Sequence, residues 1–337
     1  MKRKLAVMLV ILAFTLPMLI AAEPVDAYPS RAIVMIVPFA PGGATDLIAR
    51  KAQPVMEKVL GKPIAVQNMP GGATSIGEQY VMDAAHDGYT ILAQPTDITS
   101  IAVMGQSKLT YRDWNMVGVA AAVPAAFVVH PDSKYKTIED LVTAMKTKKL
   151  ICAVADAGCA WTRAVGLFCK ELNLTLPLFI PSGGGHNAAI SAMKQEVDFA
   201  ACGLPEAIDL IEGSKLRTLS YWGNDEVTLT NGIKIPTFGA KYPALAQYTP
   251  FGGWVGMAVP SGTPKAIVEK LINAYKKAIS DQGFIDFCKE RYFSIVGKYG
   301  SDADAYAKDS TSINAYLMYD LAFTKTDPAT LGIQRLK

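Results

Sequence analysis

The residues of this chain best placed for chemistry are backbone amides rather than side chains. The pentapeptide PGGAT occurs twice, in PFAPGGATD (38–46) and in NMPGGATSIGE (68–78), each time between an apolar run and an amphipathic stretch. A third glycine-rich segment, PSGGGHNAAI, spans 181–190. Pro presets one turn position and Gly accepts the positive φ that the next can demand. Gly also lets N–H groups approach a ligand with no Cβ in the way. A helix starting there presents unpaired N–H groups and a partial positive charge, which suits an anion. Any one such loop reads equally well as a tight connection; three of them favour a binding cleft.

Phosphate is a poor match for that anion. Neither PGGAT is followed by the Lys of a P-loop, and no Gly-x-Gly-x-x-Gly opens either helix. Carboxylate fits better. Asp46, in the first turn after the first loop, stands to stabilise the helix end, to orient the loop or to accept from ligand-bound water. Evidence for covalent chemistry is thin. Ala73-Thr74-Ser75-Ile76-Gly77 is one residue short of a nucleophile elbow, which leaves an exported serine hydrolase as the enzyme alternative. Only His86, His130 and His186 are present, each beside a turn-forming or polar residue as surface histidines are. Neither His-Glu-x-x-His nor a zinc-like Cys/His spacing occurs, so no catalytic residue, metal or cofactor is expected.

The elements around these loops set the context. A basic start (Lys2, Arg3, Lys4), an apolar run at 5–22 and Val25-Asp26-Ala27 form the pattern of a cleavable signal peptide, with the mature chain beginning at Tyr28. A membrane anchor is the alternative; Pro17 and the small-residue cleavage site argue against it. Export to the periplasm follows. With 33 basic and 30 acidic residues, the charge balance points to neither nucleic acid nor an acidic membrane surface. Residues 32–39 form an apolar run suited to a buried parallel strand. Residues 45–61 have helical spacing, a Gly to end the helix, and Pro54 to kink or divide it. Strand-like 63–68, helical 75–85 and strand-like 87–94 continue an alternation that resumes at 149–156, 178–180 and 197–204. The pattern is α/β, with glycine-rich junctions at the carboxyl edge of a parallel sheet, where ligands bind. The chain is long enough for two domains.

YPSRAIVMIVPFAPGGATD followed by IAVQNMPGGATSIGEQYVMDAAHDGYTIL resembles the opening of substrate-binding proteins of tripartite tricarboxylate transporters, the Bug or TctC type. The likeness continues through VVHPDSKYKTIEDL, IPSGGGHNAAISAMKQEVD and GWVGMAVPSGTPKAIVEKL. It implies a type II periplasmic binding fold of two α/β domains with a cleft between them. Domain 1 would combine 28–127 with 254–337, domain 2 would be 128–253, and the crossings would lie near 127–130 and 251–254. The resemblance implies a monomeric solute-binding protein that delivers a small organic acid or related metabolite to transporter membrane subunits. A module serving a sensor is the other binding role.

Carried over residue by residue, the resemblance places Phe39, Ala40, Gly42, Gly43 and Asp46 at a ligand carboxylate. Gly72 and Ala73 would flank the cleft mouth, and Thr96 follows on the same side. Across the cleft it implies Ala157, Cys159, Trp161, Thr162 and Arg163, then Gly184 and Gly185, then Cys202. The chain departs from the family where Thr162 stands in place of a common His and Cys202 near a frequent Asp, which leaves the ligand open. Trp161 reads as a lid or stacking surface, or as ordinary packing. Arg163 reads as a partner for a second carboxylate, or as a solvated helix residue. Of the five cysteines (152, 159, 169, 202 and 288), Cys159 and Cys202 are expected at the cleft ends of their strands, close enough to pair. The alternative is five buried small apolar side chains.

Overall fold

A computed structural model describes residues 27–336. The expected signal peptide, apart from Ala27, lies outside the described residues.

The expected alternation is present at the start of the chain: β1 (Ile33–Val37), α1 (Ala44–Leu60), β2 (Ile64–Asn68), α2 (Ser75–Asp83) and β3 (Thr90–Pro95). β1 pairs in parallel with both β2 and β3. α1 buries Ile48, Ala49, Ala52 and Met56 along one face, and Gly61 ends it with φ +72 and an N–H donated to Glu57 O. Pro54 does not divide this helix. Burial of the apolar face outweighs one missing N–H donation.

The second half repeats the scheme after β4 (Trp114–Val129) and α3 (Ile138–Met145). It runs β5 (Ile151–Val154), α4 (Ala160–Glu171), β6 (Leu178–Pro181), α5 (Gly185–Met193), β7 (Phe199–Gly203), α6 (Leu204–Glu212) and β8 (Arg217–Tyr221). β5 is parallel to β6 and β7. A short β9 (Val227–Thr228) and β10 (Lys234–Ile235) pair, and the helices α7 (Phe238–Lys241) and α8 (Pro243–Ala246) lead to β11 (Gly252–Pro260). The chain then adds α9 (Lys265–Ile279), α10 (Gln282–Glu290), β12 (Ser294–Tyr299) and α11 (Gly300–Asp320).

Two long antiparallel strands join the halves. β11 pairs with β3 on one side and with β4 on the other. Along β4, residues up to Pro124 face β11, and residues from Ala125 face β7. This change of partner falls a few residues before the 127–130 crossing implied by the resemblance. The backbone at Phe251 closes the second junction, accepting from Ala125 N–H at 3.0 Å and donating to Trp222 O at 3.2 Å. Phe127 of β4 anchors the adjoining core, its ring centroid 4.8 Å from Phe238 and 5.1 Å from Phe168. The carboxyl ends of β1, β3, β5 and β7 therefore meet across one crevice, with the N-termini of α1, α4, α5 and α6 pointing into it.

Candidate functional site

The first PGGAT loop is held rigid from behind. Asp46 is buried; its Oδ2 accepts from Gly42 N–H at 3.0 Å, and its Oδ1 accepts from Asn68 Nδ2 and Arg50 Nε, both at 2.9 Å. Asn68, at the end of β2, also donates to Phe39 O at 3.0 Å. Of the roles open to Asp46, it fills that of orienting the loop. The left-handed backbone position is Gly42, at φ +84, where a Cβ would lie 3.2 Å from the His186 ring. Gly43, by contrast, has φ −73, within reach of any residue.

No side chain caps α1, since its N-cap is Gly43. The cap comes from across the cleft: Ala44 N–H donates to Glu206 Oε1 at 2.9 Å. Glu206 stands at the start of α6, and its Oε2 accepts from Gly203 N–H at 2.7 Å. The arrangement is reciprocal. α4 also lacks a side-chain cap of its own, and its Ala160 N–H donates across to Asp97 Oδ1 at 3.1 Å. Asp97 lies in the 3-10 turn that follows β3. Each half of the molecule thus lends a carboxylate to a helix N-terminus of the other. A direct backbone bond from Ala40 N–H to Gly183 O, at 3.2 Å, completes the contact.

Burial dominates the electrostatics here. Glu206 is pushed up to about 7, chiefly by desolvation, with the two N–H donations opposing and the charge of Asp97 adding to the rise. Asp97 is also raised by burial, against the opposing pull of Arg163 and the Ala160 N–H. Asp156, nearby, is raised to about 6 by burial and then by Asp97.

The groups line a small cavity with space for roughly two or three waters. Of the expected residues, Phe39, Thr96, Cys159, Trp161 and Gly185 line it. Thr96 Oγ1 is buried with no hydrogen-bond partner. Trp161 forms wall and core together, being 6 % exposed. Ala40, Gly42, Gly43 and Gly184 lie in the loops that close over it; a Cβ at Gly184 would sit 3.7 Å from that of Ala40.

Other expected residues lie elsewhere. Gly72 and Ala73 form a 3-10 turn outside the cavity. Ala157 is exposed, and the lining residue of that loop is Ala155. Thr162 turns its hydroxyl to Asp156 O at 2.7 Å. Cys202 is fully buried in the core between β7 and α6. The cysteines are all free, so the expected Cys159–Cys202 pair does not form; both thiols are buried, as small apolar side chains are. Arg163 neither meets solvent nor lines the cavity. It is fully buried, donates through Nη1 to Ser100 Oγ (2.7 Å) and Gly158 O (2.8 Å), and lies 4.0 Å from Asp97. It braces the cleft floor, with Nε and Nη2 buried and without hydrogen-bond partners.

Sequence reasoning missed Ala44, whose N–H meets Glu206, and the polar side chains of Asp97, Glu206 and His186. His186, expected on the surface, is half-buried against Gly42, with Nδ1 2.8 Å from Glu206 O. The other histidines hydrogen-bond away from Ser75: His86 with Met82 O and His130 with Asp132 N.

Comparison with known proteins gives one family. A model of the tripartite tricarboxylate transporter family receptor matches residues 48–319. A UPF0065 protein from the tcbD-tcbE intergenic region of Pseudomonas sp. strain P51 is 30% identical over 80% of each chain. Among solved structures, the periplasmic binding protein BugD is 25% identical, with a TM-score of 0.80 over 88% of this chain and 99% of its own. MatC of Rhodopseudomonas palustris with bound malate is 22% identical, with a TM-score of 0.76 over 86% and 99%. The fold is that of a type II periplasmic binding protein, two α/β domains with a cleft between them.

Proposed function

The chain belongs to the tripartite tricarboxylate transporter receptor family, and from that premise we propose that it captures a small carboxylate-bearing metabolite at the amino end of α1. One observation carries this reading. Ala44 N–H, preorganised behind the first PGGAT loop, already donates to a carboxylate oxygen, that of Glu206, at 2.9 Å. A helix N-terminus with its loop fixed by Asp46 and Asn68 suits an anion, and a donor fixed in advance loses little entropy on binding. Malate, held by a neighbour of the same fold, is an acid of this class.

The receptor works as a hinge. Domain 1 comprises 28 to about 124 with 254–337, and domain 2 comprises the rest up to 253, the first boundary falling three residues before the expected 127, where β4 changes partner; β4 and β11 cross between them. Closure brings the α1 loop against α5 and α6, and the closed form is what the membrane subunits of the transporter recognise. The protein acts as a monomeric binding protein and not as an enzyme. It reaches the periplasm through a signal peptide cut after Ala27; Tyr28, the first residue after that cut, is buried and donates its hydroxyl to Gly88 O at 2.8 Å. Among the described residues no helix is long and apolar enough to cross a membrane. A thermal-shift screen over small organic acids tests the binding role, because a ligand specific to the folded state adds about 2.7 kcal/mol at a hundred times its Kd. Stabilisation by one or more carboxylic acids is expected. Stabilisation by neutral or cationic solutes alone would overturn the reading.

A further inference from the structure

We infer that Glu206 is a built-in competitor for the ligand's carboxylate, an acid of the protein's own that fills the α1 anion position until a ligand displaces it. The inference rests on the reading of the Ala44 amide as the ligand's anchor and sets what a ligand must overcome.

Three observations place the carboxylate there. Its two oxygens accept from the N–H groups of Ala44 and Gly203, at 2.9 and 2.7 Å, so it joins the start of α1 to the start of α6. It also lies over the start of α5, where a Cβ on Gly185 would fall 1.8 Å from Oε2, so a side chain there would push the carboxylate out of its place. And it faces a cavity with room for only a few waters, lined also by Thr96, whose Oγ1 is buried without a partner. A ligand carboxylate seated on Ala44 N–H needs the place that the Glu206 carboxylate fills.

The other cleft acid behaves differently. Asp97 lies 4.0 Å from the buried Arg163 and its helix-capping bond is one part of a braced floor. Glu206 relies on backbone donors. The ionisable groups around it are Asp97, Cys202 and His186, and His186 engages the Glu206 backbone oxygen rather than its carboxylate. With burial raising Glu206 to about 7, its grip weakens as protons bind near neutrality, while an ordinary ligand carboxylate stays ionised. Glu206 therefore selects for ligands that bring a fuller charge, and more contacts, than it does.

The test needs no ligand at first. The backbone amide resonance of Ala44 is followed by NMR in the purified mature chain while pH is raised through neutrality. In the wild type it is expected to titrate with a midpoint near 7, and in Glu206→Gln to stay flat. Glu206→Asp, shorter by one methylene, keeps the charge but withdraws it from Ala44, and is expected to lose the response at Ala44 while Gly203 still titrates. With malate as probe at pH above neutrality, Glu206→Gln is expected to bind about tenfold more tightly than the wild type, the worth of one charge-assisted hydrogen bond. A flat Ala44 amide in the wild type, or a titration that persists in Glu206→Gln, overturns the inference. If Ala44 titrates as described but no carboxylic acid binds, Glu206 is a structural helix cap, and the proposed function and the competitor role fall together; if carboxylic acids bind but Ala44 stays flat, the competitor alone falls.

Discussion

The two PGGAT copies have the same five residues and the same place between a strand and a helix, yet they are built for different tasks. In the first, the left-handed position is Gly42 alone, and Asp46 and Asn68 fix the loop so that Ala44 N–H faces the cleft. In the second, φ is positive at four successive residues, Gly71 (129°), Gly72 (57°), Ala73 (50°) and Thr74 (82°), two of them bearing side chains. That turn packs inward. Gly77 is pressed against Pro38 and the Met69 carbonyl, and Thr74 Oγ1 donates to the buried Glu78 at 2.7 Å. Burial raises Glu78 to about 8, so it is mostly protonated at neutral pH. The pentapeptide encodes a strand-to-helix turn; what the turn does is set by the acid that follows it and by what faces it.

The sharpest way to break this comparison is to place a β-branched residue in each loop. Gly43→Val puts its Cβ about where it would meet a carboxylate on Ala44, since a Cβ there lies 3.3 Å from Glu206 Oε1. The backbone at φ −73 tolerates it, so the cost falls on binding. Losing one or two bonds to a charged group is expected to weaken affinity by about ten- to a thousandfold in calorimetric titration. Gly72→Val has the opposite profile. At φ +57, with a Cβ 2.4 Å from Ser75 Oγ, it is expected to cost about 1–3 kcal/mol in denaturant unfolding, with near-normal affinity in the protein that folds. Equal affinity losses from the two substitutions would erase the distinction.

The two acids sharpen it through pH. The folded-state values of Glu78 and Glu206, about 8 and about 7, lie above their value of 4.5 when unfolded. The folded protein therefore holds more protons than the unfolded chain between those limits. Their stabilising contribution is full below about 4.5 and is lost as pH rises through 7 and 8. Melting temperature is expected to fall over that window, and Glu78→Gln to flatten the upper part of the fall. A melting temperature that climbs from pH 5 to pH 8 in the wild type and the variant alike would contradict the assignment of Glu78 as buried and neutral. The smallest effect is expected at Asn68→Ala. Removing its bonds to Phe39 O and Asp46 Oδ1 loosens the first loop, while Arg50 still holds Asp46, and costs about 1 kcal/mol, or several-fold in affinity.

The first loop was legible because its signals are local: Pro and Gly set the turn, and Asp46 follows within one helical turn. The alternation that builds β1 to β3 and β5 to β7 was legible for the same reason. The joining strands were not. β4 and β11 pair with partners distant in sequence, and nothing in their apolar runs names those partners. Glu206 shows the limit best. Gly203-Leu204-Pro205-Glu206 signals a helix start, and one oxygen of Glu206 does cap its own helix; that the other reaches Ala44, 162 positions away, depends on how distant parts of the chain pack together. Arg163 sits on a helix whose buried face continues all the way round at that turn, which left its burial invisible to spacing.

The claim at the centre is that the first loop holds the ligand and the second does not. It is tested most directly by amide chemical-shift mapping on the isotopically labelled mature protein, titrated with whichever carboxylic acid raises its melting temperature most. The Gly43 and Ala44 resonances are expected to move with the ligand, those of Gly203 and Ala160 to respond to closure, and those of Gly72 and Ala73 to stay in place. Movement of Gly72 and Ala73 as large as that of Ala44, or an unchanged Ala44 at saturation, would contradict it.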